Sequence, residues 1–368
     1  MEMSRRNMLR SLATATCACP LLVAGQARGE VGIRHRALHW ENAGEKRVRC
    51  TLCPRECVVA DRERGTCGVR ENRDGIYYTL VHSNPCSLNN DPIEKKPLFH
   101  YRPGTKAFSL ATAGCNIECR FCQNWQISQF RPEQVPSRRL APSQVVESAK
   151  KLGSRSIAFT YSEPVVFYEY MKDICHAARD TGIGRVMISN GYIKERPLKE
   201  LLPNLDAIKI DFKAFSESFY KDVCSAHLRP VLKTLVAIRQ AGVWLELVVL
   251  LVPTLNDSDA ELKAMCRWIV QKLGTDVPVH FTRFHSMYKI QNLPPTPVAT
   301  LEKACRYARD AGIHFAYAGN VPGHPRENTH CPGCGRVLIA RDGYFIENNS
   351  IKNGRCPVCR HKIAGRWT

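Results

Sequence analysis

From about residue 105 onward, short apolar runs alternate with amphipathic helical stretches along the chain. This alternation predicts βα units, in which a parallel sheet carries its helices on the outside. Six or more such units indicate a full or partial TIM-type barrel, whose chemistry gathers at the carboxyl ends of the strands. The predicted strands are 106–112, 156–161, 185–190, 207–212, 244–252, 278–284 and 314–319, and the predicted helices are 142–152, 165–181, 196–202, 216–223, 230–241, 257–273 and 297–311.

The regions on either side of this repeat differ from it in composition. A chain of 368 residues has room for about two to three domains. Residues 31–104 are rich in Arg, Gly and Cys, whereas residues 321–368 carry Gly, Pro and paired cysteines. We therefore expect an N-terminal Cys-rich module at 31–104, a barrel at 105–320 and a small tail at 321–368.

Residues 1–30 resemble an export signal. An Arg-Arg pair within residues 4–10 precedes a mild apolar run, and small residues at 25–27 suit a cleavage site. The pattern is similar to a twin-arginine signal with Met8 in place of the usual Phe, and a chance basic start is the alternative. The run is too short to cross a bilayer, and no later segment offers about 18 uninterrupted apolar residues, so no transmembrane span is expected. Cys17 and Cys19 fall within this segment.

The chain is strongly basic, with 53 Lys and Arg against 34 Asp and Glu, a formal net charge of +19. Nucleic-acid binding would need these side chains to be clustered, yet they are spread along the chain, usually beside an acidic residue. The charge therefore favours a solvated basic surface over a nucleic-acid interface, with at most a preference for acidic partners.

Cysteine is the most informative residue type. Eleven of the 18 cysteines fall in three tight clusters, which are Cys50/Cys53/Cys57/Cys67, Cys115/Cys119/Cys122 and Cys331/Cys334/Cys356/Cys359. Disulfide partners must face each other across a fold, whereas short gaps bring several thiolates to one metal centre. We read the five remaining cysteines beyond residue 30 as small core residues.

The central cluster follows the first predicted strand with the spacing Cys-x3-Cys-x2-Cys. It places three thiolates on one short loop at the end of the barrel where sites assemble. Three protein ligands leave one position of a metal centre open. Iron–sulfur clusters are held by Cys thiolates at comparable spacings, so a [4Fe–4S] cluster with one free iron fits this loop.

Together with the sequence motifs around it, this loop resembles the radical S-adenosylmethionine (SAM) superfamily. The stretches that carry the resemblance are TAGCNIECRFCQNWQIS, FTYSEPVVFYEYM, SNGYI, AIKIDFKAF, LLVPTLNDS, FTRFH, GNVPGHPRENTHCPGCG and, at 91–104, DPIEKKPLFHYRPG. They are similar to the radical SAM member of the AmmeMemoRadiSam system and, more distantly, to pyruvate formate-lyase activating enzymes. The resemblance runs from about Cys50 to the C-terminus.

The resemblance implies a partial (β/α)6 radical SAM barrel in which Cys115, Cys119 and Cys122 ligate the [4Fe–4S] cluster and SAM binds its open iron. Phe121 would lie against the adenine, and Glu163 would accept a hydrogen bond from the SAM ammonium. The further positions implied to contact SAM are Ser189, Asn190, Asp211, Lys213 and His285. Each has a plainer alternative: Glu163 as a helix N-terminal acid, Asp211 and Lys213 as an ion pair, His285 as a polar loop residue.

The two flanking clusters differ in regularity. Cys331/Cys334 and Cys356/Cys359 form two Cys-x2-Cys knuckles, which indicate a zinc-ribbon or rubredoxin-like site around a hairpin, with zinc or iron both open. Disulfides are the alternative. Cys50, Cys53, Cys57 and Cys67 resemble the N-terminal Cys motif of the same family, which leaves open an auxiliary cluster or a second zinc site.

We therefore expect an enzyme that cleaves SAM reductively to a 5′-deoxyadenosyl radical, which abstracts hydrogen from an unidentified substrate. The alternatives are activation of a glycyl radical enzyme and a non-enzymatic iron–sulfur electron carrier. The implied partners are an electron donor such as flavodoxin or ferredoxin, a Memo-like or AMMECR1-like protein of the same system, or a glycyl radical enzyme. Location stays open, since the signal suggests export while SAM and reductant are cytoplasmic supplies.

Overall fold

The N-terminal part of the described chain forms two small antiparallel sheets. A computed structural model describes residues 34–368, so the expected signal at 1–30, with Cys17 and Cys19, lies outside the described residues, as do residues 31–33. One sheet has the order β1-β6-β5 and the other the order β2-β3-β4. The strands are β1 (His35–Arg36), β2 (Trp40–Asn42), β3 (Val48–Cys50), β4 (Val58–Val59), β5 (Arg70–Arg73) and β6 (Ile76–Thr79).

The central sheet has eight strands in chain order, from β7 at one edge to β14 at the other. They are β7 (Ser87–Pro92), β8 (Lys106–Ala111), β9 (Ser156–Phe159), β10 (Gly184–Ser189), β11 (Ala207–Asp211), β12 (Trp244–Leu251), β13 (Val279–Arg283) and β14 (Ala316–Gly319). Strands β8 to β14 are parallel and agree with the seven predicted strands to within two residues. Strand β7 pairs antiparallel with β8 and was not predicted, because Ser-Leu-Asn-Asn-Asp-Pro has little strand propensity.

Residues 34–368 contain eight α-helices, which follow or precede these strands. They are α1 (Trp125–Ser128), α2 (Pro142–Lys151), α3 (Tyr168–Ala177), α4 (Glu195–Leu201), α5 (Glu217–Cys224), α6 (Leu228–Gln240), α7 (Asp259–Leu273) and α8 (Val298–Asp310). The short α1 was not predicted. The predicted helix at 165–181 begins instead as the 3₁₀ turn Pro164–Phe167 and ends at Ala177.

Helix α7 shows why these segments are helical. The Ser258 side chain accepts the Glu261 amide at the N-terminus, where Asp259 also complements the helix dipole. Its buried residues are Leu262, Met265, Cys266, Ile269 and Leu273. They recur every three to four positions, so one apolar stripe faces the sheet. Gly274 ends the helix with a positive φ of 93°.

Residues 93–104 cross the inside of the sheet near the amino ends of its strands. Ile93, Leu98 and Tyr101 pack there in one apolar cluster with Ala107 and Trp244, among others. The segment also brings backbone amides into this interior, and buried amides must find acceptors.

The acceptor is Glu246 on β12, which has no exposed surface. Its carboxylate accepts the amides of Phe99 and His100 at 2.9 Å each. The side chains of Trp244 and His280 donate to the same carboxylate at 3.0 and 2.9 Å. Four donors on one buried carboxylate tie the crossing segment to the middle of the sheet.

The C-terminal tail folds as a three-stranded antiparallel sheet of β15 (Thr329–His330), β16 (Val337–Asp342) and β17 (Phe345–Asn349). Strands β16 and β17 form the predicted hairpin. Arg341 of β16 stacks 4.1 Å from the Phe99 ring centroid and donates to the Phe99 carbonyl at 2.9 Å. The tail is thereby anchored to the same crossing segment that Glu246 holds.

Within residues 34–368, every helix is too short or too polar to cross a membrane.

Replacing Glu246 by Leu should lower the free energy of unfolding by about 3–5 kcal/mol, because it leaves several buried donors without an acceptor. Urea unfolding followed by circular dichroism measures this change. Glu147 on α2 is exposed, and Glu147→Leu should change stability by no more than about 0.5 kcal/mol. Equal stability of the two variants would show that Glu246 does not hold the crossing segment.

Candidate active site at the strand ends

A cavity of about 480 Å³ lies at the carboxyl ends of the central strands and extends into the sheet interior. Of the sequence-predicted site residues, Cys115, Cys119, Phe121, Cys122, Glu163, Asn190, Asp211 and Lys213 line it. The crossing segment contributes Lys96, and the turn of the tail hairpin contributes Tyr344. The parallel sheet therefore brings residues from widely separated parts of the chain to one cavity.

The three predicted cluster ligands sit on the loop between β8 and α1. Gly114 directly precedes Cys115 on this loop with a φ of 95°, and a Cβ there would lie 2.7 Å from the Cys67 carbonyl oxygen, so only glycine fits. The amide of Ile117 donates to Cys115 Sγ and that of Asn124 to Cys122 Sγ. Such donors stabilise thiolates that bind metal. The three thiols do not converge as closely as those of the tail, which suits a cluster of several irons better than a single ion.

The C-terminal end of α5 holds the cysteine loop in place. The amides of Glu118 and Arg120 each donate at 2.9 Å to the carbonyls of Cys224 and Val223. The Cys224 thiol lies beside Cys119 Sγ. From the sequence Cys224 is expected to be a core residue only, and nothing local signals this contact, because the two cysteines are far apart along the chain.

Glu163 joins the ends of β9 and β10. Its carboxylate accepts the Ser189 hydroxyl at 2.6 Å, the Asn190 amide at 2.8 Å and the Val165 amide at 3.0 Å. Burial raises the pKa of Glu163 to about 7, against these hydrogen bonds. The carboxylate thus caps the turn that begins at Pro164, as the plainer alternative expects, and also lines the cavity.

Two serines near Glu163 differ in their hydrogen bonding and in their access to the cavity. Ser189 is buried against Glu163 and is not among the residues that line the cavity. The buried Ser162 hydroxyl does line the cavity and has no hydrogen-bond partner. An unpaired hydroxyl in a cavity wall is available to a ligand.

Asp211 lies between two lysine ammonium groups, since Lys213 is 3.2 Å away and Lys209 forms a shorter ion pair. Burial opposes ionisation of Asp211, but the two lysines outweigh it and lower its pKa to about 2. Lys209 was not predicted. Its position two residues before Asp211 on one strand places both on the same face, a signal that the sequence does contain.

Phe121 is buried, packs 5.9 Å from the Phe219 ring centroid and has the Lys213 ammonium 5.8 Å from its own centroid. The ring and Lys213 therefore share one wall of the cavity. An aromatic face beside a charged group can hold a flat heterocycle that carries polar substituents.

The structure does not bring His285 to the cavity. Strand β13 ends at Arg283, and His285 is exposed and outside the lining residues. His280 of the same strand is buried and lines the cavity instead. Strand alternation signals an inward position at 280, but the prediction favoured the histidine beyond the strand end.

A second buried ion pair lies where the crossing segment meets the cavity. Lys96 pairs with Asp91, and its ammonium lies 4.4 Å from the Tyr161 ring centroid. Burial lowers the pKa of Lys96 to about 8, although Asp91 opposes the shift. These residues were not singled out one by one, yet Asp91 and Lys96 belong to the 91–104 stretch that carries part of the resemblance.

The tail cysteines form a compact metal-binding group. All four thiol sulfurs of Cys331, Cys334, Cys356 and Cys359 lie within 4.8 Å of one another, and two of the six distances are 3.5 and 3.8 Å. A tetrahedral ion with Zn–S bonds of about 2.3 Å separates its sulfurs by roughly 3.8 Å. The four thiols therefore fit a single closed site. The sixteen described cysteines are free thiols, and these two tail distances exceed the roughly 2.05 Å of an S–S bond.

Comparison with known proteins identifies the family of this chain. Residues 109–269 match the family model described as Radical SAM superfamily. An uncharacterised protein of Methanocaldococcus jannaschii is 45% identical over 329 residues, which are 89% of this chain and 98% of that protein.

Two further relatives are more distant. The pyruvate formate-lyase-activating enzyme of Clostridium pasteurianum is 21% identical over 180 residues, 47% of this chain and 73% of that enzyme. The crystal structure of a radical SAM methyltransferase from Sphaerobacter thermophilus is 16% identical with a TM-score of 0.46, over 58% of this chain and 66% of that one.

Serine replacement of Cys334 and Cys359 should remove about one tightly bound metal ion per chain, because a closed site needs all four thiolates. Elemental analysis of the purified protein measures the loss and identifies zinc or iron. Inorganic sulfide should not change, since a single-ion site contains none. Unchanged metal content in the double variant would contradict the tail site, and serine replacement of Cys305 on α8 is the matched control.

Proposed function

Because this chain belongs to the radical SAM superfamily, we propose that Cys115, Cys119 and Cys122 bind a [4Fe–4S] cluster and that the adjoining cavity binds SAM. The observation that carries this proposal is the placement of three thiols of one loop at the wall of a cavity at the strand ends. The donor set fits the group, since three thiolates leave one iron open. The protein is an enzyme, and its substrate is the part that the family does not specify.

When bound, the cluster and SAM supply a 5′-deoxyadenosyl radical through one-electron cleavage of the sulfonium. The side chains of this protein position the reactants and exclude water. The amides of Ile117 and Asn124 stabilise the thiolates of Cys115 and Cys122, and Asn190 reaches to 3.8 Å from Cys115 Sγ. Together they hold one face of the cluster loop rigid.

Glu163 is the proposed acceptor for the SAM ammonium. Three donors fix the direction of its carboxylate, and Ser189 belongs to this support rather than to direct contact with SAM. The unpaired Ser162 hydroxyl beside it offers one more hydrogen bond. A buried carboxylate that is already oriented binds an ammonium without a large cost in side-chain entropy.

The remaining proposed contacts with SAM lie along the same wall of the cavity. We assign the adenine to the Phe121 ring and the polar part of SAM to Asn190, Asp211 and Lys213. His285 is left out of this set because its side chain is exposed and outside the lining.

In this proposal the seven parallel strands form a partial barrel that is open between its first and last strands. Supporting observations are the parallel order β8 to β14 and the crossing segment that fills the amino end. The tail turn at Gly343 and Tyr344 reaches the cavity wall. The proposed boundaries are an N-terminal module at 31–104, the barrel at 105–320 and the tail at 321–368.

The proposed reaction is hydrogen abstraction from a substrate held in the inner part of the cavity, with electrons from a flavodoxin or ferredoxin. Activation of a glycyl radical enzyme is a variant of the same chemistry, and Memo-like or AMMECR1-like partners remain predictions. A simple electron carrier has no need for an oriented, buried carboxylate such as Glu163, so this residue favours the enzyme over the carrier.

The protein reconstituted anaerobically with iron and sulfide should form 5′-deoxyadenosine from SAM and dithionite. Cys119→Ala should abolish this product, because two thiolates do not hold the cluster. Liquid chromatography of the quenched reaction measures it. Cys175→Ala, in the buried core of α3, is the matched control and should retain activity.

Absence of 5′-deoxyadenosine from the reconstituted wild-type protein would contradict the proposed function. Simultaneous loss of the tail metal in Cys119→Ala would contradict the independence of the two sites.

Glu163→Gln should raise the KM for SAM about tenfold to a hundredfold, because a hydrogen bond to a charged group contributes about 1.5–3 kcal/mol. The ammonium needs ionised Glu163, so wild-type affinity should fall as the pH drops through about 7. This pH dependence should be absent in Glu163→Gln. Glu147→Gln is the control, and an unchanged KM in Glu163→Gln would remove Glu163 from the SAM site.

A further inference from the structure

The four cysteines of the N-terminal module surround one small cavity of their own. Cys50 ends β3, Cys53 and Cys57 lie on the chain that leads to β4, and Cys67 precedes β5. All four line one narrow pocket of about 20 Å³. The gaps along the chain are irregular, so this convergence is a property of the fold rather than of a local knuckle.

The distances among these thiols differ from those of the tail. The four tail sulfurs lie within 4.8 Å of one another, whereas no three of the N-terminal sulfurs do so. A single tetrahedral ion needs sulfurs roughly 3.8 Å apart. A [4Fe–4S] cluster places iron and sulfide between its ligands and therefore needs a wider ring of thiolates. The N-terminal thiols are therefore spaced too widely for one tetrahedral ion, which favours a cluster of several irons.

Backbone amides point at these sulfurs as they do in the central loop. The Arg55 amide donates to Cys53 Sγ, and the Val69 amide donates to Cys67 Sγ. In each pair the donor lies two residues after the cysteine, as Ile117 does for Cys115. Amide hydrogen bonds to cysteine sulfur stabilise thiolates and tune the potential of iron–sulfur clusters.

One residue that lines this cavity also carries an unpaired donor. Arg70 lines it, is 1% exposed and pairs with Glu169, but its Nε has no hydrogen-bond partner. A buried N–H without an acceptor is costly in a finished structure. An anionic cluster in the cavity would supply that acceptor, either a cluster sulfide or a cysteine sulfur.

We propose that Cys50, Cys53, Cys57 and Cys67 bind a second [4Fe–4S] cluster, which delivers electrons to the cluster of the three-cysteine loop. The second part rests on the proposed function of that loop, whereas the first part does not. The assignment favours an iron–sulfur cluster over a zinc ion at the N-terminal site, a choice that the sequence alone leaves open.

The two sites are in direct contact. The three-cysteine loop packs so closely on the N-terminal module that a Cβ on Gly114 would lie 2.7 Å from the Cys67 carbonyl oxygen and 2.5 Å from Val69 Cγ1. Asn116, next to Cys115, lines the N-terminal cavity, and Cys67 and Cys115 line one shared crevice. An electron that enters at the N-terminal cluster has a short path to the loop.

The redox step balances with an external one-electron donor. Reduced flavodoxin gives one electron to the N-terminal cluster and leaves oxidised by one electron. The cluster passes that electron to the central cluster and returns to its oxidised state. No proton or further co-reactant is required.

Inorganic sulfide is the first readout, because the tail site contains none. In the full chain reconstituted anaerobically, Cys57→Ala and Cys67→Ala should each lower sulfide per chain about twofold, and Cys119→Ala should do the same. Combining Cys57→Ala with Cys119→Ala should leave none. Cys305→Ala on α8 is the matched control. Unchanged sulfide with the loss of one zinc in the N-terminal variants would overturn the second cluster.

Electron paramagnetic resonance separates this result from misfolding and from failure of the proposed function. The reduced wild-type protein should show two signals, of which SAM perturbs only one. Cys57→Ala should keep the SAM-responsive signal, and Cys119→Ala should keep the other. A wild-type protein with full sulfide, two signals and no response to SAM would contradict the proposed function but not the second cluster.

The choice of reductant tests delivery. With reduced flavodoxin, Cys57→Ala should form 5′-deoxyadenosine at least about tenfold more slowly than the wild type, because the entry point is lost. With dithionite, a small donor that reaches the central cluster directly, the rates should differ by less than about threefold. Equal losses with both donors, or no loss with flavodoxin, would overturn the relay.

Discussion

The parallel direction of strands β8 to β14 is the constraint on which the site depends. Because every one of these strands ends at the same edge of the sheet, Glu163, Asn190 and Asp211 meet there although each belongs to a different strand end. The cysteine loop after β8 is added at the same edge. Nothing local in the chain brings these groups together, so the site exists only when the sheet has formed.

A sheet with polar groups on its inner face needs a partner for each of them. Glu246 illustrates the solution at the amino end, where four donors surround one buried carboxylate. Asp211 illustrates it at the other end, between two lysines. The difference is functional, because Glu246 is fully occupied by protein donors, whereas Asp211 and its lysines line the cavity and remain accessible to a ligand.

Local pattern predicts the elements of this fold well, because β-branched runs and helical periodicity act within a few residues. Strand β7 was missed since a polar edge strand carries little of that signal. The sequence predicts the site residues less completely than it predicts the helices and strands. Resemblance named eight of the residues that line the cavity, but it also named Ser189 and His285, which do not line it, and it did not identify the buried His280. The contact of Cys224 with Cys119 depends on tertiary packing alone.

In the proposed assignments, the number and spacing of the cysteines, rather than the ligand type, distinguish the three groups. All three groups receive amide hydrogen bonds at sulfur, so the thiolates are stabilised in the same way. The tail converges to the separation that one ion requires, and the other two groups stay wider. Of those two, the N-terminal group has four cysteines and the central loop has three. A cluster with four protein ligands would have no free iron, so it would carry electrons without binding SAM, whereas the proposed cluster of the central loop would place a free iron at the cavity of the strand ends.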